Sequence, residues 1–237
     1  EAFADIATAK ANAERCLKNS NDLFASCIQA NLAEIDSNVE HKPLDELCVI
    51  GDGNHSSNYP TKDELVEIGI PFIRCTNLID GKISDVEMRF LSPEKHAQLK
   101  KGHLKTGDVL VTNRGEIGRT AIVDEAHDGA NLNSQIAWLR CKDGLNNKYL
   151  FHALNSSEIQ KHFESSKSGA ALQQFTIKQL RALKIPLPSL EKQISTAKKL
   201  DELRTESDRL ESIYRQKLTA LDDLKKSLLH QAFSGQL

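Results

Sequence analysis

The stretch TGDVLVTNRGEIGRTAIV, residues 106–123, places Gly115 and Gly118 between two apolar runs. A phosphate-binding loop of an NTPase would need a lysine after the second glycine and a helix after the loop. Here Arg119 follows, and the next residues are strand-like. Two glycines between alternating apolar runs specify a β-hairpin or a bulged turn. The stretch therefore predicts a glycine-bent hairpin, from which Asn113, Arg114 and Arg119 could project as phosphate contacts.

The residues on both sides of this hairpin mix strand-like and helical patterns. Capping signals at Thr61, Ser92 and Thr176 predict short helices, and residues 146–163 predict a longer helix with a break at 155–157. Because helices and strands do not alternate strictly, an α+β domain is expected. Short apolar runs bounded by Gly, Asn or Asp predict strands at 71–76, 108–113, 119–123 and 135–141.

Both ends of the chain predict long amphipathic helices. Residues 1 to about 35 contain no Gly or Pro, and their alanine-rich apolar stripe predicts one helix of about 32 residues. Residues 190–233 carry leucines at spacings of three and four, with Ser189 as N-cap and Gly235 as C-terminal stop. The two helices are expected to lie antiparallel and to bury each other's stripes. In the alternative arrangement, each packs on the globular domain.

Composition and motifs favour a binding protein over an enzyme. Hydrophobic residues make up 39% of the chain and charged residues 27%, with a net charge of −2. Without an apolar run of about 18 residues or a signal segment, a soluble cytoplasmic protein is expected. The five cysteines and eight histidines do not cluster, so neither a metal site nor a cofactor is predicted. A nuclease-like E-x-K occurs only at 40–42, outside any predicted strand. The usual hydrolase and amino-methyltransferase motifs are absent.

Two polar loops have the chemistry of nucleic-acid contacts. GDGNHSSNYP, residues 51–60, and KSGAALQQF, residues 167–175, carry amide, hydroxyl and imidazole side chains suited to base edges and phosphate oxygens. The paired Gln173 and Gln174 are suited to reading adenine in the major groove. The alternative is that both loops are ordinary solvated loops.

The order of these segments resembles the specificity (S) subunit of type I restriction-modification systems. The resemblance runs from GIPFIRCTNLIDGKI through the hairpin to SGAALQQFTIKQLRALKIPLPSLEKQ and the terminal LKKSLLHQAFSGQL. It is most specific in the exit IPLPSLEKQ and in the terminus SLLHQAFSGQL. The loop DGNHSSNYP is similar to the family's variable DGxHxTPxY element, but Ser57 and Asn58 stand where Thr-Pro is expected.

This resemblance implies a target recognition domain at 42–188, with conserved spacer helices at 1–41 and 189–237. It also implies a non-catalytic subunit that reads one half of a bipartite target in double-stranded DNA. Such a subunit docks methyltransferase (M) subunits and, through them, the restriction (R) subunit. The alternative is a coiled-coil scaffold or inhibitor on the same fold that does not read DNA. A third reading, a nucleotide-using enzyme built on the glycine turn, predicts nucleotide binding that Gly118→Val would abolish.

One recognition domain is present where a full S subunit carries two. Either a half-subunit forms a homodimer, which predicts a palindromic bipartite target, or the chain is the later half of a longer protein, which predicts an asymmetric one. The target sequence itself is not predictable from one chain. The predicted DNA contacts are Asn54, His55, Ser56, Ser57, Tyr59, Arg74, Thr76, Asn77, Asn113, Arg114, Arg119, Lys167, Ser168, Gln173 and Gln174.

Overall fold

A computed structural model describes residues 2–35, 39–53, 59–166 and 174–234. It divides into two compact units. One unit is helical and comprises Glu1–Ala30 with Lys198–Leu237, and the other is a mixed domain comprising Asn31–Ala197. This is the α+β domain flanked by long helices that the sequence predicts.

The elements of the described residues mix short strands and short helices between two long helices. The α-helices are α1 (Ala2–Ala33), α2 (Leu44–Leu47), α3 (Pro93–Gln98), α4 (Asn147–Leu154), α5 (Ser157–Ser165), α6 (Ile177–Ala182) and α7 (Leu190–Phe233). Short 3-10 helices cover Lys62–Glu64, Cys75–Asn77 and Glu125–His127. The strands are β1 (His41–Pro43), β2 (Cys48–Asp52), β3 (Leu65–Val66), β4 (Ile70–Ile73), β5 (Leu78–Ile79), β6 (Lys82–Ile83), β7 (Arg89–Leu91), β8 (Val109–Thr112), β9 (Thr120–Ile122), β10 (Asn131–Leu132), β11 (Ile136–Cys141) and β12 (Lys184–Pro186).

The helical unit pairs α1 with α7 in antiparallel order. Lys10 Nζ lies 2.5 Å from Asp222 Oδ1, and the guanidinium of Arg204 lies 5.3 Å from the centre of the Phe24 ring. Residues later in α1 therefore contact residues earlier in α7. This confirms that the two helices are antiparallel, as predicted. Charged and aromatic groups at the edges of the pair thus set its register.

The apolar stripe of α7 is only partly covered. Leu200 is fully buried, but Leu210, Ile213 and Leu224 keep 37%, 45% and 48% of their surface exposed. The expectation that the two stripes bury each other is therefore wrong for these positions. One alanine-rich helix offers too little side-chain surface to cover a leucine stripe of this width.

The central sheet of the mixed domain has the strand order β2-β11-β8-β9, with every neighbouring pair antiparallel. β8 and β9 pair with Val109 opposite Ile122 and Val111 opposite Thr120, so the glycine-bent hairpin is confirmed. At its turn, Gly118 has φ +97°, and a Cβ there would lie 2.9 Å from Gln160 Oε1. Glycine is required at this position because α5 packs directly against the turn.

A second sheet, of order β10-β4-β7-β3, contains the parallel pair β10–β4, and β5 pairs with β6 in a separate two-stranded ladder. The main core lies between the central sheet and the helices α4, α5 and α6, and contains Leu139, Leu154 and Leu180. Tyr149 is fully buried there, and its hydroxyl donates to Pro186 O at 2.8 Å. This core supports one end of the strands that carry the polar residues described below.

The chain enters and leaves the mixed domain through one ladder. β1 and β12 pair antiparallel, with His41 opposite Pro186 and Pro43 opposite Lys184. These strands are too short and proline-rich for the alternation pattern to predict them. Entry and exit therefore lie side by side at the edge of this domain.

The predicted elements hold in outline and shift at their ends. The break after α4 is confirmed: Ser156 caps α5 by accepting from the Ile159 N–H at 3.3 Å. The strand predicted at 71–76 ends at Ile73, because Asn77 Oδ1 accepts from the Arg74 N–H at 3.1 Å and closes a 3-10 turn. The signal at Thr61 likewise begins a 3-10 turn with a capping box.

Candidate nucleic-acid interface

Polar residues gather where β8 ends and β11 begins, beside the turn that follows β4. The Asn113 N–H donates to Gln135 O at 2.9 Å, and the Cys75 thiol lies 3.7 Å from the same oxygen. The Asn113 carbonyl in turn accepts from the Phe175 N–H at 2.9 Å. These contacts join four separate parts of the chain. We call the resulting surface the polar edge, which comprises Arg74, Cys75, Thr76, Asn113, Arg114, Arg119, Asn133, Gln135 and Gln174.

Four predicted contact residues lie on this edge with exposed or half-buried side chains. Arg114 and Gln174 form an isolated antiparallel bridge, which brings the hairpin turn next to the residues that precede α6. Arg119 is exposed and pairs with Glu116 within the turn. Thr76 is also exposed, at the centre of its 3-10 turn. The hairpin therefore presents cations and an amide on one surface.

Other predicted residues serve the fold at the same place. Asn77 is fully buried, and its amide donates to Ser84 O at 3.0 Å and Val86 O at 3.1 Å. The guanidinium of Arg74 donates to Glu87 O at 2.6 Å. Asn113 is buried, with its backbone bonded on both sides. Asn77 has the residue type of a base reader, but its burial and its two internal hydrogen bonds show that it holds the turn, whereas Asn113 joins the neighbouring segments through its backbone.

Tyr59 packs edge-on against Phe72, with ring centres 5.8 Å apart, and burial raises the pKa of its hydroxyl. It stays protonated at neutral pH and can donate a hydrogen bond. The remaining predicted contacts, Asn54, His55, Ser56, Ser57, Lys167, Ser168 and Gln173, lie outside the described residues.

Asn133, Gln135 and Cys75 are also part of the edge, although they are not among the predicted contacts. The Gln135 N–H donates to Asn133 Oδ1 at 3.2 Å, and Asn133 Nδ2 donates back to Gln135 Oε1 at 3.2 Å. Burial raises the pKa of the Cys75 thiol to about 11, so the sulfur keeps its proton at pH 7. The polar run NLNSQ directly before an apolar strand was the available signal.

A basic groove runs along β11 and its neighbour β2. It encloses about 490 Å³ around Trp138, whose indole lies flat against Gly51. Asp52 lies on its wall, 3.3 Å from Lys101 Nζ. Basic side chains therefore outnumber the half-buried Asp52 among the residues that line this concavity. The basic side chains of the groove are Lys100, Lys101, Arg140 and Arg181, with the His103 ring beside them.

The opposite ends of β8 and β11 carry a closed ion pair. Arg140 donates through Nε to Asp108 Oδ1 at 2.8 Å and through Nη2 to Oδ2 at 2.7 Å. The Asp108 side chain is 1% exposed, and these bonds raise the pKa of Arg140 further. Asp108 Oδ2 also accepts a hydrogen bond from the Lys105 N–H at 2.9 Å. This site holds the strands together and leaves no acceptor of Asp108 for a ligand.

The described residues show no arrangement for metal chemistry. Within these ranges, no group of three or more His, Cys, Asp or Glu side chains is placed to hold a metal ion. Nor does any helix in the described part of the chain combine the length and hydropathy that crossing a membrane requires. The chemistry that this surface offers is hydrogen bonding and positive charge.

A family model for the type I restriction modification DNA specificity domain matches residues 36–220. The chain belongs to this family. The EcoBI specificity subunit of Escherichia coli is 28% identical over 173 residues, covering 73% of this chain and 36% of that protein. The MjaVIII specificity subunit of Methanocaldococcus jannaschii is 26% identical over 214 residues, covering 88% and 48%. The chain thus spans half or less of the length of these curated relatives.

Solved structures from type I restriction-modification systems share the fold. A chain from a structure described as the basis of complex assembly and conformational transition of the type I R-M system superposes with a TM-score of 0.79 at 21% identity, over 99% of this chain and 57% of that one. The HsdS subunit from Thermoanaerobacter tengcongensis superposes with a TM-score of 0.59 at 22% identity, over 100% and 58%. The fold that the family resemblance implies is thereby confirmed.

Proposed function

We propose that this chain reads one half of a bipartite target in double-stranded DNA, as all or part of the specificity subunit of a type I restriction-modification complex. The observation that carries the proposal is the family match over residues 36–220, a range that includes the polar edge and most of the spacer helix α7. The relatives in this family bear the name specificity subunit.

The polar edge has the chemistry of base readout. Amides and guanidinium groups recognise base edges in the major groove, and Gln174, Arg114 and Arg119 supply both kinds of group at the hairpin turn. Thr76 and Tyr59 stay in the proposal, together with the predicted contacts outside the described residues, which are Asn54, His55, Ser56, Ser57, Lys167, Ser168 and Gln173. Asn77 is left out, because burial and its two internal hydrogen bonds occupy it.

The basic groove is suited to the DNA backbone. Trp138 lies three residues beyond Gln135 on β11, about 10 Å along the strand, and Arg140 lies two residues further. Phosphates beside the recognised bases fall within this range, since one strand carries a phosphate every 3.4 Å of helix axis. Backbone contacts of this kind position a protein on the duplex and carry no sequence information of their own.

Partner subunits supply the chemistry in this proposal. The net charge of −2 is low for a protein that holds DNA alone. Methyltransferase subunits, and the restriction subunit bound through them, would add phosphate contacts and carry out methylation and cleavage. This chain would contribute recognition without a reaction of its own.

A second reader completes the bipartite target. We infer that it comes either from a second copy of this chain or from a longer protein of which this chain is one half. The exposed leucines of α7 provide apolar surface for such a partner. By length, α1 of 32 residues and α7 of 44 residues would extend about 48 and 66 Å, longer than one turn of DNA.

Methylome sequencing of cells that carry this chain with its methyltransferase partner tests the proposal. We expect one bipartite methylated motif, palindromic for a homodimer and asymmetric for a longer chain. Absence of any motif, together with absence of duplex binding by the purified complex, would contradict DNA reading and favour the scaffold alternative.

The spacer role has its own test in a paired deletion. Residues 11–17 of α1 face residues 213–219 of α7, as the contact between Cys16 and Tyr214 indicates. Removing both segments shortens the helix pair by one heptad. We expect the same half-site with a changed number of base pairs between the two half-sites. An unchanged number would refute the role of the helices in setting this distance.

A further inference from the structure

Gln135 is exposed at the polar edge, and its side-chain amide has a fixed orientation. The orientation can be assigned from the backbone N–H of Gln135, which can only donate a hydrogen bond. Because the Gln135 N–H lies 3.2 Å from a terminal atom of Asn133, that atom must be the oxygen Oδ1. The other terminal atom of Asn133 is then the NH2 group, which can also only donate.

This NH2 group determines which end of the Gln135 amide faces inward. Asn133 Nδ2 lies 3.2 Å from a terminal atom of Gln135, which must therefore be the acceptor Oε1. Asn133 is 5% exposed and cannot easily turn over. The amide assignment of an exposed glutamine is ordinarily ambiguous, but here it follows from a backbone donor.

Cys75 also lies against the oxygens of Gln135. Its Sγ is 3.6 Å from Gln135 Oε1 and 3.7 Å from Gln135 O, so its single weak S–H donor is directed at these oxygens. Gln135 Oε1 thus accepts from the Asn133 amide and packs against the thiol. The Nε2 group of Gln135 points away from both, and it has no hydrogen-bond partner among the residues that the structure describes.

An amide held in this way cannot make the usual contact of glutamine with adenine. That contact needs a free oxygen to accept from adenine N6 and a free NH2 to donate to N7. Gln135 offers only the two N–H donors. Of the four base-pair orientations, G·C presents two adjacent acceptors in the major groove, guanine O6 and N7, whereas thymine presents one acceptor beside a methyl group.

We propose that Gln135 is a specificity-determining residue that donates from Nε2 to O6 and N7 of a guanine in the recognised half-site. Asn133 and Cys75 are positioning residues that hold its oxygen inward. The inference rests on the proposed function, and it adds a base type and a named atom to it. It also distinguishes Gln135 from Gln174, for which the residue type alone predicts recognition of adenine.

The test is the methylated motif of cells that carry substituted chains with the methyltransferase partner. Gln135→Ala is expected to relax one G·C position of the half-site to any base, with about a ten- to hundred-fold loss of discrimination there, and to leave the other positions unchanged. Gln135→Glu replaces the donors by an acceptor, so guanine is expected to be disfavoured and cytosine favoured at that position. Gln216→Ala, an exposed glutamine on α7, is the control and should change nothing.

Three outcomes would overturn the inference. An unchanged motif for Gln135→Ala would show that Gln135 does not read a base, while the methylated motif itself would still support the proposed function. Relaxation at an A·T position would show that the amide oxygen is available. Equal relaxation with Gln216→Ala would show that the effect is not local.

A binding measurement covers the case in which Gln135→Ala abolishes methylation. The complex of this chain with its methyltransferase subunits is titrated with a duplex that carries 7-deazaguanine, which lacks the N7 acceptor, at each guanine of the half-site in turn. We expect weaker binding by the native complex at one position and no further weakening there with Gln135→Ala. Additive losses for the two changes would refute the contact.

Discussion

The pair of strands β8 and β11 carries one polar network at each end. The two networks differ in whether they leave a hydrogen-bonding group free for a ligand. At one end, Arg140 and Lys105 occupy the oxygens of Asp108, which is almost fully buried. At the other end, Asn133 and Cys75 occupy only the oxygen of Gln135 and leave its NH2 group outward. The closed network stabilises the sheet, and the open one keeps hydrogen-bonding capacity for a ligand. The first should therefore govern stability and the second specificity.

The largest effect should come from opening the closed network. Asp108→Asn places an NH2 group against the guanidinium of Arg140 and leaves buried donors unpaired, so we expect a loss of about 3 kcal/mol in the free energy of unfolding. Urea denaturation measures it. Glu116→Gln removes the exposed partner of Arg119 and should cost less than about 1 kcal/mol. Equal losses would contradict the distinction between the two ends.

The next effect concerns the turn that supports the open end. Gly118→Ala combines a positive φ with a Cβ 2.9 Å from Gln160 Oε1 and 3.0 Å from the Phe163 ring, so a loss of more than about 2 kcal/mol is expected. Gly115→Ala, at φ +73° with nothing within 4 Å, should cost about 1 kcal/mol. Thermal melts of the two variants compare them. A larger loss for Gly115 would mean that the turn packs differently against α5.

A smaller effect is expected for a contact with the DNA backbone, which would position the protein without reading the base sequence. Lys100→Ala in the basic groove should weaken duplex binding about equally for all sequences and reduce the slope of log K against log salt by about one. The methylated motif should stay the same, in contrast to Gln135→Ala. Titrations at several salt concentrations measure the slope. A changed motif would place the basic groove among the base contacts.

The smallest effect is expected for Cys75→Ser. Serine keeps a donor opposite Gln135 Oε1, so stability should change by less than about 1 kcal/mol and the motif should not change. Urea denaturation measures the stability, and methylome sequencing gives the motif. Relaxation of the motif at the Gln135 position would show that the longer C–S bond of cysteine sets the position of the amide.

The sequence predicts this molecule best where a regular pattern repeats. Residues 190–233 were predicted as one helix and form α7 with those bounds, since spacings of three and four persist through the whole segment. The hairpin could be predicted because its two glycines lie between alternating apolar runs. The strands β1 and β12 could not, because three residues each, with a proline in both, carry no alternation and depend on their partner for pairing.

The polar edge was predictable only in part, because Cys75, Asn133 and Gln135 were not among the predicted contacts and the role of each residue depends on the fold. Asn77 and Gln135 are both amides in polar runs, and only the fold decides that the first is fully buried and the second exposed. The direction of a glutamine amide depends on neighbours distant in sequence, here Cys75, 60 residues away. Burial and hydrogen-bond direction arise from tertiary contacts, so no local pattern could assign them.

The short ladder between β1 and β12 has a consequence for how such a domain can change. His41 and Pro186 are directly opposite each other, so the first and last residues of the domain's framework are neighbours in space. A segment whose ends meet can be excised and replaced as a single cassette without altering the path of the flanking chain. If the proposed function holds, exchanging the residues between these two strands would transfer a DNA preference in one recombination event, with the ladder at the junction.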